Sequence, residues 1–252
     1  WLGRDVTIRF GSATHRARVF VNGVEVAAHE GGFLPFNAEV SEIVRYNQYN
    51  KLAVLLNNEL NEYMLPAGRT TTLANGRKMA APYFDFYNYA GLQRPVKLLC
   101  LPGEQVVDFS VNHRLDGADA EVDYTVRTTG AHDCVVEVLD ADGAKVAACT
   151  GKEGTLHIPN VHLWGVHNAY LYTFVIRIMD GASVVDEYME KIGVRTFAIE
   201  NGRFLLNGKP IYLRGFGKHE DADLRGRGLD LVTVKRDYEC MKWIGANCFR
   251  TS

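Results

Sequence analysis

A short polar segment near the end of the chain concentrates side chains that could do chemistry. The segment GFGKHEDAD places five ionisable residues within six positions: Lys218, His219, Glu220, Asp221 and Asp223. Such a cluster is often only a solvated loop. Its expected place after a strand of a (β/α)8 barrel favours a functional role, because active sites lie at the C-terminal ends of those strands. No metal-binding spacing such as HExxH occurs and no two cysteines form a CxxC pair, so we expect no metal site.

A second segment combines aromatic rings with a carboxylate and an amide. The run PYFDFYNYA, from Pro82 to Ala90, holds five aromatic residues around Asp85 and Asn88. Flat rings can cover the apolar face of a sugar while polar groups bond its hydroxyls. We expect most of the rings to anchor the loop to its own domain. Asp85 is expected to have a partner, because a carboxylate among five rings is costly to leave unpaired.

The elements that must position these segments are mostly strands. Alternating runs begin at Val6, and Arg16 to Val26 places two of them around an Asn-Gly pair, which is a strong hairpin signal. Buried-type runs follow at Lys51 to Leu56 and at Pro95 to Leu101. Between them, Asn57 to Arg94 shows little periodicity, and a loop of that length is usually functional or irregular.

A Pro-Gly pair at position 102 marks a plausible boundary, after which short alternating strands recur at steady spacing. This pattern, with Asp-Gly turns at positions 142 and 180, predicts an immunoglobulin-like sandwich. From about Phe197 the pattern changes. Phe204 to Leu213 predicts a hairpin and then a strand, with GFGKHEDAD directly after it, and Asn247 to Arg250 begins a further strand. The intervening helix shows one apolar face and is expected to stop at a glycine: Leu231, Val234, Tyr238, Met241 and Gly245.

Strand, helix and strand form the opening unit of a parallel sheet, and one such unit cannot close a barrel. We therefore expect the chain to end inside a third domain. It begins at Trp1 without a leader-like pattern, so we expect a longer parent whose cellular location the sequence does not reveal.

Composition excludes several classes of protein. The 28 Lys and Arg residues nearly balance the 30 Asp and Glu residues, which argues against nucleic-acid or membrane-surface binding through bulk charge. With 47% hydrophobic residues the chain is not disordered, and no apolar run approaches the roughly 20 residues that span a bilayer.

Five long motifs resemble glycoside hydrolase family 2, and within it the β-glucuronidase group most closely. They are VFVNGVEVAAHEGGFLPF, FDFYNYAGLQRPV, IGVRTF, FLLNGKPIYLRGFGKHEDADLRGRGLD and WIGANCFRTS, and together they run along the whole chain. The resemblance implies a mainly β chain with a jelly-roll sugar-binding domain at 1–103, an immunoglobulin-like sandwich at 104–197 and the start of a truncated (β/α)8 TIM barrel at 198–252.

The resemblance also implies roles for particular residues. Asp85 matches an aspartate that reaches the sugar from the jelly-roll domain, and His219 matches a histidine that lines the sugar pocket. Arg250 matches an arginine beneath the catalytic carboxylates, and Glu220 and Asp221 are expected to support this site. Both catalytic glutamates of the family lie on later barrel strands, so none is expected in this chain, and Glu220 does not replace them.

The implied function of the parent is retaining hydrolysis of β-D-glucuronides without a cofactor, and the chain alone is expected to be inactive. The run HEDAD favours a glucuronidase over a galactosidase. A family 2 enzyme acting on a β-galactoside or β-galacturonide, and a non-catalytic carbohydrate-binding protein, are the alternatives. We expect a β-glucuronide as the partner, no nucleic acid, no membrane, and a homo-oligomer at full length.

Overall fold

The computed structural model describes residues 1–251 and divides into two compact units. The first combines Trp1–Leu101 with His219–Tyr238, and the second combines Pro102–Lys218 with Glu239–Thr251. Each unit is built around its own set of strands.

Eight strands belong to the first unit, and they pair in antiparallel sheets with the orders β4-β1-β8, β3-β2-β5 and β6-β7. Their bounds are β1 Asp5–Phe10, β2 Arg16–Val21, β3 Val24–Glu30, β4 Phe36–Glu39, β5 Leu52–Asn57, β6 Gly68–Thr72, β7 Lys78–Pro82 and β8 Val96–Leu101. The predicted hairpin is confirmed as β2–β3, and both of its turn residues have positive φ, at 53° for Asn22 and 87° for Gly23. The runs predicted at Lys51 and Pro95 are confirmed as β5 and β8.

The two three-stranded sheets of this unit contribute side chains to one hydrophobic core. Side chains from β1 and β2 supply most of it, because alternate residues of a strand point to one face. Its fully or nearly buried members are Val6, Ile8, Phe10, Val19, Val21, Ala38 and Val40. The alternation read from the sequence therefore marks the core face of these strands.

The hairpin β6–β7 lies inside the segment that the sequence predicted to be a long loop. All five residues of β7 are exposed, and β6 buries only Gly68. A two-stranded ribbon without a buried face has no alternation of apolar and polar residues, so periodicity could not reveal it.

The second unit contains the predicted immunoglobulin-like sandwich, which is confirmed. Its two antiparallel sheets have the orders β13-β10-β9 and β12-β11-β14-β15, and their inner faces form one core around Tyr172, Phe174 and Ile176. The bounds are β9 Val106–Asp116, β10 Asp119–Thr128, β11 Cys134–Leu139, β12 Lys145–Thr150, β13 Glu153–Ile158, β14 Tyr172–Asp180 and β15 Ser183–Ile192.

The remaining elements form the start of the barrel. They are β16 Phe197–Glu200, β17 Arg203–Leu206, β18 Lys209–Pro210, β19 Gly215–Lys218, α1 Leu231–Trp243 and β20 Cys248–Thr251. Strands β16, β17 and β18 form a small antiparallel sheet, and β19 pairs in parallel with β20. The strand–helix–strand unit is therefore confirmed.

The expectation that GFGKHEDAD follows the first barrel strand is wrong in its first four residues, because Gly215–Lys218 is itself that strand. Its glycines hid it, since glycine is a weak strand former. Gly215 is needed because the backbone of the neighbouring strand comes very close, whereas Gly217 faces the tip of a flexible side chain. A Cβ on Gly215 would lie 1.9 Å from the Cys248 carbonyl oxygen, and one on Gly217 would lie 2.9 Å from Arg250 Nη2.

Helix α1 has defined ends. At its start Asp230 Oδ1 accepts hydrogen bonds from the amides of Val232 at 3.1 Å and Thr233 at 3.4 Å, which is an N-cap. At its end Gly245 has a φ of 75°, as predicted for a helix stop. Of the predicted apolar face only Met241 is buried, and Leu231 is 70% exposed.

Candidate sugar-binding site

The aromatic segment Pro82–Ala90 is held to the first unit through Asn88. The Asn88 side-chain amide donates to the Asn58 carbonyl at 2.9 Å, and Asn58 Nδ2 donates in return to the Asn88 carbonyl at 3.2 Å. This fixes Asn88 Oδ1 as an acceptor, so His15 Nε2, 2.8 Å away, carries the proton and donates. Burial lowers the pKa of the His15 imidazole and favours this neutral form. The loop is therefore anchored three residues after Asp85.

The rings of the aromatic segment divide into two groups. Phe84 and Phe86 are half-buried and pack on each other with centroids 4.3 Å apart, and Phe86 also meets the edge of the Phe33 ring, outside the segment, at 6.4 Å. Tyr83 and Tyr87 are exposed, although the Tyr83 hydroxyl donates to Glu62 Oε1 at 3.1 Å.

Asp85 lies between these rings and its side chain is exposed. Residues 1–251 provide the Asp85 carboxylate with no hydrogen bond or ion pair, so the expected partner does not lie among them. Exposure removes the reason for a partner, because water solvates the charge. The carboxylate is available to an external ligand.

His219 is the first residue after β19, at the C-terminal end of the first barrel strand. Its Nδ1 lies 3.7 Å from Asp221 Oδ2, and its side chain is 45% exposed. Burial, together with the nearby Asp221 carboxylate, raises the pKa of Tyr89. Gly226 makes room for the Tyr89 ring, because a Cβ there would lie 2.6 Å from it.

Glu220 is engaged in an ion pair with Arg94 Nη2. Arg94 Nη1 donates to two carbonyls, those of Gln93 at 3.1 Å and Arg227 at 3.0 Å. The Leu229 amide donates to the same Gln93 carbonyl at 3.0 Å. The segment after β19 is thus docked on the chain that leads into β8. Asp223 is exposed and takes no visible part in this docking.

Arg227 completes the docking through aromatic rings. Its guanidinium carbon lies 4.3 Å from the Phe86 ring centroid and 4.9 Å from that of Phe33. A cation held over two ring faces is stabilised by the ring quadrupoles. The first unit contains a cavity of about 800 Å³. Its lining includes Phe33, Phe86, Arg94, Glu220 and Arg227.

Arg250 lies on β20, directly opposite Gly217 in the parallel pairing. The missing side chain of Gly217 leaves space for its guanidinium. Arg250 is exposed, and its Nη1 lies 3.5 Å from the Thr251 carbonyl oxygen. It belongs to the second unit, whereas Asp85, His219, Glu220 and Asp221 belong to the first.

These contacts limit the chemistry of the described residues. The exposed Asp85 carboxylate is open to a ligand, whereas Glu220 is paired with Arg94 and Asp221 lies beside the His219 imidazole. Among residues 1–251, no three His, Cys, Asp or Glu side chains are grouped closely enough to hold a metal ion. Over the same residues, no helix has the length and apolar character needed to cross a membrane.

Sequence reasoning missed Arg94, Arg227, Tyr89 and His15. Each acts through a contact with a residue far away in the chain, such as the 126 positions between Arg94 and Glu220.

Comparison with known proteins gives a consistent result along the chain. Three family models match: the sugar binding domain of glycosyl hydrolases family 2 at 1–102, glycosyl hydrolases family 2 at 104–195, and the TIM barrel domain of glycosyl hydrolases family 2 at 197–252. Together they leave out only Gly103 and Thr196.

Similar individual proteins are β-glucuronidases. The Paenibacillus borealis enzyme is 41% identical over 100% of this chain and 44% of its own length, and the Canis lupus familiaris enzyme is 41% identical over 99% and 41%. The solved Ruminococcus gnavus β-glucuronidase is 55% identical with a TM-score of 0.97, covering 100% of this chain and 43% of its own. A complex of that enzyme with D-glucuronic acid matches equally well. The chain spans less than half the length of these relatives.

Proposed function

This chain belongs to glycoside hydrolase family 2, and on that premise we propose that the whole protein is a retaining glycosidase that hydrolyses β-D-glucuronides. The observation that carries the proposal is the similarity to β-glucuronidases over the full chain, at 41% identity for P. borealis and 55% for R. gnavus.

In this proposal Asp85 and His219 bind the sugar. The exposed Asp85 carboxylate accepts hydrogen bonds from sugar hydroxyls, and a bond to a charged group is worth about 1.5–3 kcal/mol. His219 presents a half-exposed imidazole at the end of β19, where barrel enzymes bind their substrates. Arg250 supports the catalytic carboxylates, while Glu220 and Asp221 support the site through Arg94 and Tyr89.

The bond-breaking step requires two carboxyl groups about 5–5.5 Å apart, one as acid and the other as nucleophile. We assign neither role within this chain. Glu220 is paired with Arg94, so it is poorly suited to carry protons to and from a substrate. We propose that the catalytic pair lies in the part of the protein that corresponds to the unmatched length of the relatives.

We also propose the division into three domains at 1–103, 104–197 and 198–252, and a homo-oligomeric state for the whole protein. Light scattering on the purified complete protein tests the second point, and a monomer at working concentration would contradict it.

Hydrolysis of matched chromogenic substrates by the complete protein tests the function. We expect kcat/KM for p-nitrophenyl β-D-glucuronide to exceed that for the β-D-galactoside and β-D-galacturonide by at least a hundredfold. A preference for either galacto-configured substrate would assign another activity of the family. Sugar binding without turnover of any of the three would identify a carbohydrate-binding protein.

A further inference from the structure

A chain of contacts connects the segment that carries Asp85 with the segment that carries His219. Phe86 follows Asp85, and its ring is covered by the Arg227 guanidinium at 4.3 Å. The Arg227 carbonyl accepts a hydrogen bond of 3.0 Å from Arg94. Arg94 in turn pairs with Glu220, which directly follows His219. Arg94 is therefore the junction of the two segments.

Arg94 is suited to this position by its shape. One nitrogen of its guanidinium serves the Gln93 and Arg227 carbonyls while the other serves Glu220. A lysine offers a single point of charge and cannot reach both sides in a fixed plane. The Arg94 side chain is only 28% exposed, so water screens this pair less than a surface ion pair.

No other strong constraint on the Glu220 side chain is present among the described residues. Without Arg94, the Glu220 carboxylate would turn toward water and the backbone next to His219 would be held less firmly. Displacement of a binding group by about 1 Å can lower catalytic efficiency a hundredfold.

We propose that Arg94 is a positioning residue that fixes His219 relative to Asp85 in the sugar-binding site. This inference rests on the proposed function, since it concerns the same site. Arg94 touches no reacting atom and acts through Glu220.

A mutant cycle on the complete protein tests the proposal with the chromogenic β-glucuronide. Arg94→Met is combined with His219→Ala, and Arg18→Met serves as the control. Arg18 forms an ion pair of 2.5 Å with Glu25 in the same unit and is 55% exposed, so the control also removes one arginine and one ion pair. Arg94→Lys and Glu220→Gln are measured as the milder variants.

We expect Arg94→Met to lower kcat/KM ten- to a hundredfold in the wild-type background but less than threefold when His219 is already alanine. Arg94→Lys should recover part of the loss, Glu220→Gln should reproduce part of it, and Arg18→Met should change kcat/KM less than twofold. If Arg94→Met does not fold, Arg94→Lys takes its place in the same mutant cycle.

Two results overturn the inference while leaving the proposed function intact. One is an unchanged kcat/KM in Arg94 variants of an active enzyme, with only the melting temperature lowered. The other is an equal fold-loss with and without His219, which would mean that Arg94 does not act through it. If the wild-type protein itself fails to hydrolyse β-glucuronides, the proposed function fails, and the inference fails with it.

Discussion

Replacing Asp85 distinguishes a role in sugar binding, which would change kcat/KM, from a structural role, which would change the melting temperature. Asp85 is exposed and has no hydrogen bond or ion pair among residues 1–251. Surface substitutions of that kind change the free energy of unfolding by no more than about 0.5 kcal/mol. Asp85→Ala in the complete protein should therefore leave the melting temperature nearly unchanged.

The same substitution should be costly for turnover. A hydrogen bond from a sugar hydroxyl to a carboxylate is worth about 1.5–3 kcal/mol. Since each 1.36 kcal/mol corresponds to a factor of ten in rate, kcat/KM should fall roughly ten- to a hundredfold. His219→Ala should cost a similar amount. The double variant should cost less than the sum of the two if both residues grip one sugar.

The assay compares kcat/KM on a chromogenic β-glucuronide with the melting temperature of each variant. Asp142→Ala is the matched control, because Asp142 is an exposed aspartate in a hairpin turn of the sandwich. It should change neither quantity. If Asp85→Ala kept the wild-type kcat/KM but lowered the melting temperature by several degrees, Asp85 would be a structural residue and the reasoning would be refuted.

Three further predictions follow from the fold and its charges. Purified chain 1–252 should hydrolyse no chromogenic β-glucuronide above a heat-killed control, and clear turnover would place the catalytic pair inside it. Gly215→Ala should destabilise the β19–β20 pairing, because its Cβ would meet the Cys248 carbonyl at 1.9 Å, whereas Gly103→Ala has open space; equal melting temperatures would contradict this. The hydrogen bond to Glu104 and its charge raise the pKa of His132, so this contribution to stability is complete below the unfolded pKa and is lost as pH rises through the folded one. Glu104→Gln should lower the pKa of His132, followed by NMR, and an unchanged titration would be inconsistent with this pairing.

Local sequence patterns were sufficient to predict the elements that bury one face. The Asn-Gly pair between two alternating runs predicted β2–β3, because only a turn with positive φ joins strands so tightly. The sandwich strands likewise gave clear periodicities. Recognition of family motifs supplied the jelly-roll topology, which periodicity alone did not.

Features that depend on distant neighbours could not be predicted. The glycines of β19 look like loop residues until the close approach of β20 is known. The exposed ribbon β6–β7 has no buried face to mark it. The pairing of Arg94 with Glu220 depends on the folding of a whole unit, so neither residue shows it locally.

The anomeric form of the first sugar released tests the central claim most directly. Proton NMR of the complete protein acting on a β-D-glucuronide distinguishes the two anomers before they interconvert. A retaining glycosidase of this family should release β-D-glucuronic acid first, with the α anomer growing only later. Initial release of the α anomer, or no release of glucuronic acid at all, would contradict the account.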